Sequence, residues 1–385
     1  MRVLVSGGGT GGHIYPALAV ATQLQKEYQA EILYLGSDDG LETELAPQMG
    51  FPYAIIKAGK LQRYISWKTV TGVARVPVGM AQAVRIVRTF RPDVVFTSGG
   101  YVAVPAGVAA RLNGVPFLMH QEDVSPNLSN RLLAPLATRI SVAFADSLAY
   151  FPRQKTLQPG NPVREAILEA RASSPQEARR SLGLEAEVPV LLVTGGSQGA
   201  RHLNQVVCHA LPGLLTHCQV LQISGKKLFD ETRELAEQTM ANLADQEKQR
   251  YHLVPYMDAE MPTALQAAEL VLCRSGAATL SELAVLSKPS ILVPLPPALG
   301  GSPQEVNADM FGRQQAAQVI RDDDLTPEIL LDRVITVLSS RSLLESMAQA
   351  AGKIAKPEAT REIALHIMTL AGAAAQNRHN QDAKV

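Results

Sequence analysis

Short, nearly continuous apolar runs alternate with longer segments of helical periodicity along most of the chain. Apolar runs bounded by glycine or polar turns indicate buried strands, and the segments between them indicate helices that cover a sheet. The runs are residues 2–6, 31–35, 93–97, 116–120 and 139–142 in the first half, and 190–194, 220–223, 252–254, 270–273 and 290–294 in the second. This alternation predicts an α/β fold with parallel sheets covered on both faces.

The same pattern begins twice, at the N-terminus and again near residue 190. Each half opens with a strand, a glycine-rich loop (residues 7–12 and 195–199) and a helix. Pro159-Gly160-Asn161-Pro162 separates the halves, and 385 residues exceed what one core usually supports. We therefore expect two Rossmann-like domains that face a cleft, residues 1–161 and 162–355, and a disordered tail at 373–385.

Charge is balanced over the whole chain but unevenly distributed along it. The formal net charge is zero, which points to no nucleic-acid partner. Residues 45–92 contain no Asp or Glu, and apolar residues there are interleaved with Lys57, Lys60, Arg63, Lys68, Arg75, Arg85, Arg88 and Arg91. The 57–91 segment could rest on an anionic membrane surface; a helix packed by its apolar side with its arginines in water is the alternative.

Membrane attachment is expected to be peripheral. No apolar run reaches the length of a membrane span, and the first strand begins without a signal peptide. Cys208, Cys218 and Cys273 lie in apolar surroundings without metal-binding spacing, which is typical of reduced core residues in a cytoplasmic protein.

The first glycine loop supports two interpretations. Gly7, Gly9 and Gly12 match the G-x-G-x-x-G pattern of dinucleotide-binding loops, with Asp38 as the candidate ribose ligand. The loop also holds two further glycines and ends at His13, which a dinucleotide loop does not require. Such a dense glycine turn leaves backbone N–H groups open to a bulkier pyrophosphate. His13 could act as a general base or as a hydrogen-bond donor, or it could cap the following helix.

The segment 270–294 predicts a nucleotide-sugar site. It contains a strand, a tight Arg274-Ser275-Gly276 turn, a helix at 277–286 and a second strand. The first N–H groups of a helix have no internal partner and carry partial positive charge, which favours an anion. Glu282 could accept hydrogen bonds from two neighbouring hydroxyls, as in a ribose diol. The alternative is an ordinary strand–turn–helix with Glu282 in solvent.

Two other motifs could indicate a catalytic serine or a metal site. Ser197 and Gln198 lie between glycines before a helix and outside any GxSxG elbow, which favours phosphate or sugar contact. Asp322-Asp323-Asp324 is similar to the metal-binding D-x-D of some sugar transferases, but it precedes a helix start, so N-terminal capping is favoured. We infer no metal and no other cofactor; helix dipoles and side-chain donors would then stabilise the leaving group.

These motifs together resemble the MurG family of peptidoglycan glycosyltransferases. The matching segments are 8–13, 98–101, 160–164, 195–201, 274–282, and 304 with 307–308. The resemblance implies the two-domain GT-B architecture, with a C-terminal helix at about 356–372 crossing back onto the first domain. It also implies a metal-independent, inverting transfer of N-acetylglucosamine from UDP-GlcNAc to the MurNAc 4-hydroxyl of undecaprenyl-linked lipid I, giving lipid II. This reaction takes place on the cytoplasmic face of the bacterial plasma membrane.

The resemblance also implies contacts to the phosphates and to UDP. Thr10, Gly11 and Gly12 would border the donor and acceptor phosphates. Arg164 and Ser197 would contact UDP.

Further implied contacts surround the rest of the donor. Met257 would flank the uracil, and Gln304 would meet the sugar. The diphosphate and ribose would be held, with the diol on the final glutamate, by Ala277, Ala278, Thr279, Leu280, Ser281 and Glu282.

The identity of the catalytic base stays open, and the chain departs from the family at two places. His13, Glu122 and Asp123 are candidates for the group that deprotonates the acceptor. Where the family usually reads His-Glu-Gln-Asn, this chain reads His120-Gln121-Glu122-Asp123, and an ionised Asp123 cannot donate a hydrogen bond to the donor sugar. The loop at 296–303, usually charged, carries no charge here.

Three alternative functions are compatible with parts of this pattern. A hydrolysing epimerase acting on UDP-GlcNAc would release UDP without an acceptor. An NAD(P)-dependent oxidoreductase would use the first glycine loop and would be stabilised by NADH rather than UDP. A non-catalytic sensor would bind UDP-GlcNAc without turnover.

Overall fold

The chain forms two compact units. The structure is a computed structural model that describes residues 1–9, 11–58, 67–196, 198–296 and 303–382, with the backbone alone for 67–76 and 375–382. The first unit comprises residues 1–164 and 356–385, and the second comprises 165–355. The chain passes between them after Arg164, where the sequence suggested residue 161.

The first unit is built on a parallel sheet of seven strands. Their order across the sheet is β3-β2-β1-β4-β5-β6-β7. The strands are β1 (Arg2–Gly7), β2 (Glu31–Gly36), β3 (Tyr53–Ile55), β4 (Val94–Gly99), β5 (Phe117–Gln121), β6 (Arg139–Val142) and β7 (Thr156–Leu157). The helices are α1 (Gly11–Tyr28), α2 (Glu42–Gln48), α3 (Trp67–Phe90), α4 (Ala103–Leu112) and α5 (Leu128–Leu133), with two 3-10 turns at Ala145–Tyr150 and Arg153–Lys155.

The second unit repeats this plan with six parallel strands. Their order is β10-β9-β8-β11-β12-β13. The strands are β8 (Val190–Thr194), β9 (Gln219–Ile223), β10 (Tyr251–Val254), β11 (Leu270–Cys273), β12 (Ser290–Leu292) and β13 (Ala317–Val319). The helices are α6 (Glu165–Ala170), α7 (Pro175–Ser181), α8 (Arg201–Leu214), α9 (Phe229–Thr239), α10 (Asp245–Lys248), α11 (Met261–Ala267), α12 (Ala277–Val285), α13 (Gln304–Arg313), α14 (Pro327–Leu338) and α15 (Arg341–Ile354), with a 3-10 turn at Asp322–Asp324.

In each unit the glycine loops lie at the point where the strand order reverses. In the first sheet β1 pairs with both β2 and β4, and in the second β8 pairs with both β9 and β11. Open parallel sheets bind ligands outside the carboxyl ends of the strands at this switch point. The loops after β1 and β4, and those after β8 and β11, therefore define the two places to look for a site.

The last helix, α16 (Ala359–Asp382), belongs to the first unit. Its buried residues Ile363, Ala364 and Ile367 join the core formed by α1 and the neighbouring strands. The helix continues to Asp382, which differs from the expected disordered tail at 373–385, since the Ala373–Arg378 region is rich in helix-forming residues and contains no proline. Among the described residues, no helix combines the length and apolar character needed to cross a bilayer.

Candidate functional site

In the first unit, His13 lies against the backbone at the switch point. Its imidazole is on the first turn of α1, and Ser98 Oγ donates a hydrogen bond to its carbonyl oxygen at 2.5 Å. Gly99 has φ +113°, and a Cβ there would come within 2.9 Å of His13 Nδ1. The glycine that ends β4 is therefore required for the histidine to occupy this place. Contacts with Ser98 and Gly99 thus define the position of His13.

His13 forms a close pair with Glu122, the residue that follows β5. His13 Nδ1 lies 3.1 Å from Glu122 Oε2, and the side chains are 18% and 5% exposed. Glu122 Oε1 is buried and has no hydrogen-bond partner among the described residues. The sequence left three candidate bases, and the structure brings two of them, His13 and Glu122, into contact.

Burial and mutual attraction shift the pKa values of this pair. Burial lowers the pKa of His13, but the neighbouring Glu122 carboxylate outweighs that effect, so the pKa lies above the usual imidazole range. Burial raises the pKa of Glu122 above the usual carboxyl range, and the charge of His13 offsets this only in part. At neutral pH the two groups share one proton, and together they can take up a second as the pH falls.

The side-chain amide of Gln121 holds the backbone around Glu122 in place. Gln121 Nε2 donates to the carbonyl oxygens of Asp123 (2.8 Å) and Ser125 (3.2 Å), and Asn130 Nδ2 donates to Gln121 Oε1 at 2.8 Å. Asp123 is 8% exposed, and its charge adds to the upward shift of the His13 pKa. The exchange of Glu and Gln relative to the family thus places an interior amide at 121 and the carboxylate that meets His13 at 122.

His120 anchors the same strand end in a neutral form. It is completely buried, with Nδ1 2.9 Å from Ser141 Oγ and Nε2 3.0 Å from Asn161 Oδ1. Burial lowers the pKa of His120 to about 4, against a smaller opposing effect of the Asn161 hydrogen bond. The Gly160-Asn161-Pro162 motif is thereby tied to β5 within the first unit.

A buried glutamate already occupies part of the first glycine loop. Glu42 Oε2 accepts a hydrogen bond from the Gly9 amide at 3.3 Å, and its Oε1 accepts from Ser37 Oγ at 2.7 Å. Asp38, the expected ribose ligand of a dinucleotide, is exposed. A carboxylate at the amide that a dinucleotide phosphate would need repels that phosphate, so the structure disfavours the dinucleotide interpretation. No sequence pattern indicated this role for Glu42, because nothing in its position at the start of α2 marks it as reaching the loop.

The remaining amides of the first loop start α1. Gly11 and Gly12 occupy its first turn, where N–H groups have no partner within the helix. Thr10, between them and Gly9, lies outside the described residues. The structure therefore leaves Gly11 and Gly12 as the available phosphate donors of this loop.

The second glycine loop, in the second unit, packs tightly against the neighbouring turn. Gly199 has φ +74°, and a Cβ there would come within 2.1 Å of the Ser224 carbonyl oxygen. Asn204 Nδ2 holds that carbonyl at 2.9 Å. Ser197 lies outside the described residues, so its role in UDP contact stays a prediction.

The start of α12 is open to an anion. Its N-cap is Gly276, with φ −67° and ψ 140°, and no side chain of the described residues caps the helix. No described heavy atom lies within 4 Å of the place where a Cβ on Gly276 would be. The first-turn amides therefore begin at the switch point of the second sheet, beside a region at Gly276 that no described residue fills.

Only some of the α12 residues named from the sequence can use their side chains. Ala278, Thr279 and Glu282 are half-buried. Leu280 is fully buried, and Ser281 Oγ donates to the Ala277 carbonyl at 2.8 Å, so these two side chains face the interior. The helical period explains the difference, since consecutive residues of a helix cannot all face one ligand.

Gln304 is committed in part to the protein itself. The Leu295 amide donates to Gln304 Oε1 at 3.0 Å, and Ser275 Oγ donates to the Gln304 carbonyl at 2.7 Å. Asn307 Nδ2 donates to the Ser275 carbonyl at 3.1 Å, which joins α13 to the turn before α12. Both contacts use oxygens of Gln304, so a hydrogen bond donated to a sugar would come from its Nε2 group. Residues 297–302 of the loop before it lie outside the described residues.

Met257 and Arg164 are placed in different units. Met257 is half-buried just beyond β10, at the same sheet edge as Gly276. Arg164 ends the first stretch of the first unit, with its guanidinium 5.7 Å from the centre of the Tyr15 ring. The sequence placed Arg164 in the second domain, and the structure groups it with the first.

The aspartate run does not cap the helix that follows it. Thr326 caps α14 by accepting a hydrogen bond from the Ile329 amide, so the expectation that the aspartates cap this helix was wrong. Asp322 is instead paired with Arg274, with 2.5 Å between Oδ1 and Nη1. Thr326, rather than an aspartate, takes the N-cap position because it directly precedes Pro327, which fixes the first turn of α14.

Two family models match the chain. The glycosyltransferase family 28 N-terminal domain matches residues 3–142, and the glycosyltransferase family 28 C-terminal domain matches residues 190–363.

Curated relatives match over nearly their whole length. Two of them, from Desulforudis audaxviator and Caldanaerobacter subterraneus, are UDP-N-acetylglucosamine–N-acetylmuramyl-(pentapeptide) pyrophosphoryl-undecaprenol N-acetylglucosamine transferases. The chain is 39% identical to that of Desulforudis audaxviator, covering 97% of this chain and 99% of the relative. It is 37% identical to that of Caldanaerobacter subterraneus, covering 96% and 100%.

Solved structures give the same picture. The chain is similar to MurG of Acinetobacter baumannii, with a TM-score of 0.75 and 29% identity over 96% of this chain and 99% of that one. A UDP-GlcNAc 2-epimerase from Neisseria meningitidis has a TM-score of 0.67 at 15% identity, covering 96% and 100%, and shares the fold.

Proposed function

The chain belongs to the family 28 glycosyltransferases that transfer N-acetylglucosamine to lipid-linked N-acetylmuramyl-pentapeptide, and on this premise we propose that it forms lipid II from lipid I and UDP-GlcNAc. Its fold is the GT-B fold of MurG, as the sequence predicted. The single observation that supports donor binding best is the uncapped start of α12, which faces open space at the switch point of the second sheet.

The second unit binds the donor in this proposal. The diphosphate lies at the first amides of α12 and is stabilised by their partial positive charge. Glu282 accepts hydrogen bonds from the ribose hydroxyls, and Met257 flanks the uracil. These two residues lie along the same sheet edge as the second glycine loop.

The first unit supplies the base. The acceptor 4-hydroxyl oxygen forms a bond to the anomeric carbon while the bond from that carbon to the UDP oxygen breaks, which inverts the configuration. The hydroxyl proton passes to the Glu122 carboxylate, and UDP leaves with the electron pair. The adjacent His13 shares a proton with Glu122 and stabilises the Glu122 carboxylate before the reaction.

The 57–91 segment docks on the cytoplasmic face of the plasma membrane in this proposal, because lipid I is membrane-bound. Side chains of α3 line a surface groove of about 590 Å³, which includes Met80, Val84, Arg85 and Arg88. The exposed Val78 lies beside it. Apolar groups flanked by arginines suit an anionic bilayer surface. Residues 59–66 of the segment lie outside the described residues.

A coupled assay with UDP-GlcNAc and a lipid I analogue tests the reaction. Acceptor-dependent UDP release is expected, together with a β-1,4-linked product. UDP release from donor alone would favour the hydrolysing epimerase, and the absence of any release above background would refute the proposal.

A glutamate exchange tests the donor site. Glu282→Ala removes the acceptor of the ribose diol, so the KM for UDP-GlcNAc is expected to rise about tenfold or more. Glu237→Ala, at an exposed position on α9 of the same unit, is the matched control. Equal kinetics for the two variants would refute the placement of the ribose.

A further inference from the structure

Asp322 makes contacts that neither cation binding nor helix capping explains. Its carboxylate is 10% exposed, whereas Asp323 and Asp324 of the same run are exposed. Oδ1 lies 2.5 Å from Arg274 Nη1, and Oδ2 lies 3.3 Å from His202 Nδ1 on α8. One carboxylate thus joins the helix after the second glycine loop to the turn before α12.

Arg274 extends this connection to a third part of the donor site. Its Nη1 also donates to the carbonyl oxygens of Val293 at 3.0 Å and Pro294 at 3.2 Å, just after β12. The chain then continues through Leu295, whose amide binds Gln304 Oε1. Nη1 of Arg274 therefore contacts Asp322 and the chain that leaves β12 together.

We propose that Asp322 and Arg274 are positioning residues for nucleoside-diphosphate binding. Their ion pair fixes the turn before α12 against the exit of β12 and the start of α8, so that the first amides of α12 and Glu282 keep the spacing that a nucleoside diphosphate needs. This inference rests on the proposed function only in taking that sheet edge as the donor site. Asp322 touches no substrate; it acts through Arg274.

The partners of Asp322 explain why its replacement should weaken binding at a site that it does not contact. Removing one member of a buried ion pair leaves the other charge uncompensated, and the structure around it must rearrange. Arg274 would then release the carbonyls after β12 or seek another partner. A shift of about 1 Å at the reacting groups can cost up to about a hundredfold in rate.

The test compares Asp322→Asn with Asp323→Asn and Asp324→Asn in the full chain. UDP is titrated by calorimetry, and steady-state kinetics are measured with UDP-GlcNAc and a lipid I analogue. In Asp322→Asn the Kd for UDP and the KM for UDP-GlcNAc should rise about ten- to a hundredfold, while the KM for the acceptor stays unchanged. The two neighbouring variants, which alter the same charge at exposed positions, should match the wild type.

A second variant keeps the inference testable if Asp322→Asn fails to fold. Arg274→Lys retains the charge, but a lysine ammonium cannot reproduce the planar guanidinium contacts to the carboxylate and to both carbonyls. It should weaken UDP binding to a similar extent, and the double variant should be no worse than the stronger single one because the two residues act as a unit.

The outcomes separate this inference from the proposed function. Unchanged UDP affinity in Arg274→Lys and in folded Asp322→Asn would overturn the inference even if the wild type forms lipid II. Tighter UDP binding in Asp322→Asn would also overturn it, since the carboxylate would then be opposing the diphosphate. A wild type that binds UDP but transfers no sugar would count against the proposed function, while the expected loss of UDP affinity in the variants would still support the inference.

Discussion

At the scale of single residues, the His13–Glu122 pair accounts for where the acceptor proton goes. Glu122→Gln removes the carboxylate whose Oε1 has no described partner, and it keeps the shape of the side chain. We expect kcat to fall by about 10²- to 10⁴-fold, the usual contribution of a general base, with little change in the KM for UDP-GlcNAc. Steady-state kinetics with saturating acceptor measure both quantities.

Asp123→Asn is the comparison for Glu122→Gln, because it alters the neighbouring buried acid. It should reduce kcat less than Glu122→Gln does. In the wild type, kcat should also fall as the pH drops through the raised pKa of Glu122, at a pH above that of an ordinary carboxyl. Full activity in Glu122→Gln would assign the proton to His13 or Asp123 instead.

His120 makes the stability of the first unit depend on pH. Its folded pKa of about 4 lies below the ordinary imidazole value of 6.5, so between these values the unfolded chain binds a proton that the folded chain excludes. The stabilisation is complete above pH 6.5 and is lost as the pH falls toward 4. Between pH 7.5 and 5.0, His120 should account for a loss of about 2 kcal/mol in the free energy of unfolding.

Urea denaturation of the wild type and of His120→Gln at both pH values measures this loss. The variant lacks an imidazole to protonate, so its free energy of unfolding should change less over the same interval. An equal change in both proteins would contradict the buried, neutral state of His120.

At the scale of elements, the open start of α12 permits a sharp test. Gly276 has ordinary φ and ψ values and unfilled space beside it, so Gly276→Ala should leave the melting temperature within about 1 °C of the wild type. The new methyl group would enter the space assigned to the diphosphate. The KM for UDP-GlcNAc should therefore rise about tenfold or more.

Gly372→Ala, in the exposed part of α16, is the matched control for this substitution. A Cβ there meets no described atom, and alanine favours a helix, so activity should be unchanged and stability slightly increased. Unchanged donor kinetics in Gly276→Ala would place the diphosphate elsewhere.

The elements show which parts of the fold the sequence could predict. The central strands, such as Val190–Thr194 and Leu270–Cys273, are buried on both faces and were found with their observed bounds, because continuous burial leaves a continuous apolar run. Three of the four edge strands, Tyr53–Ile55, Thr156–Leu157 and Ala317–Val319, were missed, since two or three residues are too few to leave such a run. The fourth, Tyr251–Val254, has four residues and was predicted at 252–254.

The site shows the same division between local and long-range information. The glycine loops and the start of α12 are local strand–turn–helix features, and the sequence located them. The pairing of His13 with Glu122 and of Asp322 with Arg274 joins residues far apart in the chain, which no local pattern encodes. The inward orientation of Leu280 and Ser281 also required the helix to be placed on its sheet.

At the scale of the whole molecule, attachment to a membrane should depend on charge. The double variant Arg85→Ser/Arg88→Ser removes two arginines that line the α3 groove. Each arginine near an anionic surface contributes about 1 kcal/mol, so binding to vesicles that contain anionic lipid should weaken about tenfold or more. Cosedimentation with anionic and with zwitterionic vesicles measures the effect.

Arg139→Ser/Arg153→Ser, at exposed positions of the same unit, removes the same charge outside the 57–91 segment. It should bind anionic vesicles nearly as well as the wild type, and raised salt should weaken both. Equal losses in the two double variants would show that net charge alone, rather than this surface, governs attachment.

The return of the chain to its first unit in α16 has a consequence for biosynthesis. Residues 363–367 complete a core whose other members were made near the beginning of the chain. The ribosome must therefore synthesise all of residues 165–355 before the core of the first unit can be completed. This takes roughly 10 to 40 s at bacterial rates of elongation. During that interval the apolar surface that α16 later covers stays exposed to solvent, so we expect chaperones that bind exposed apolar surface to associate with the N-terminal part of the nascent chain.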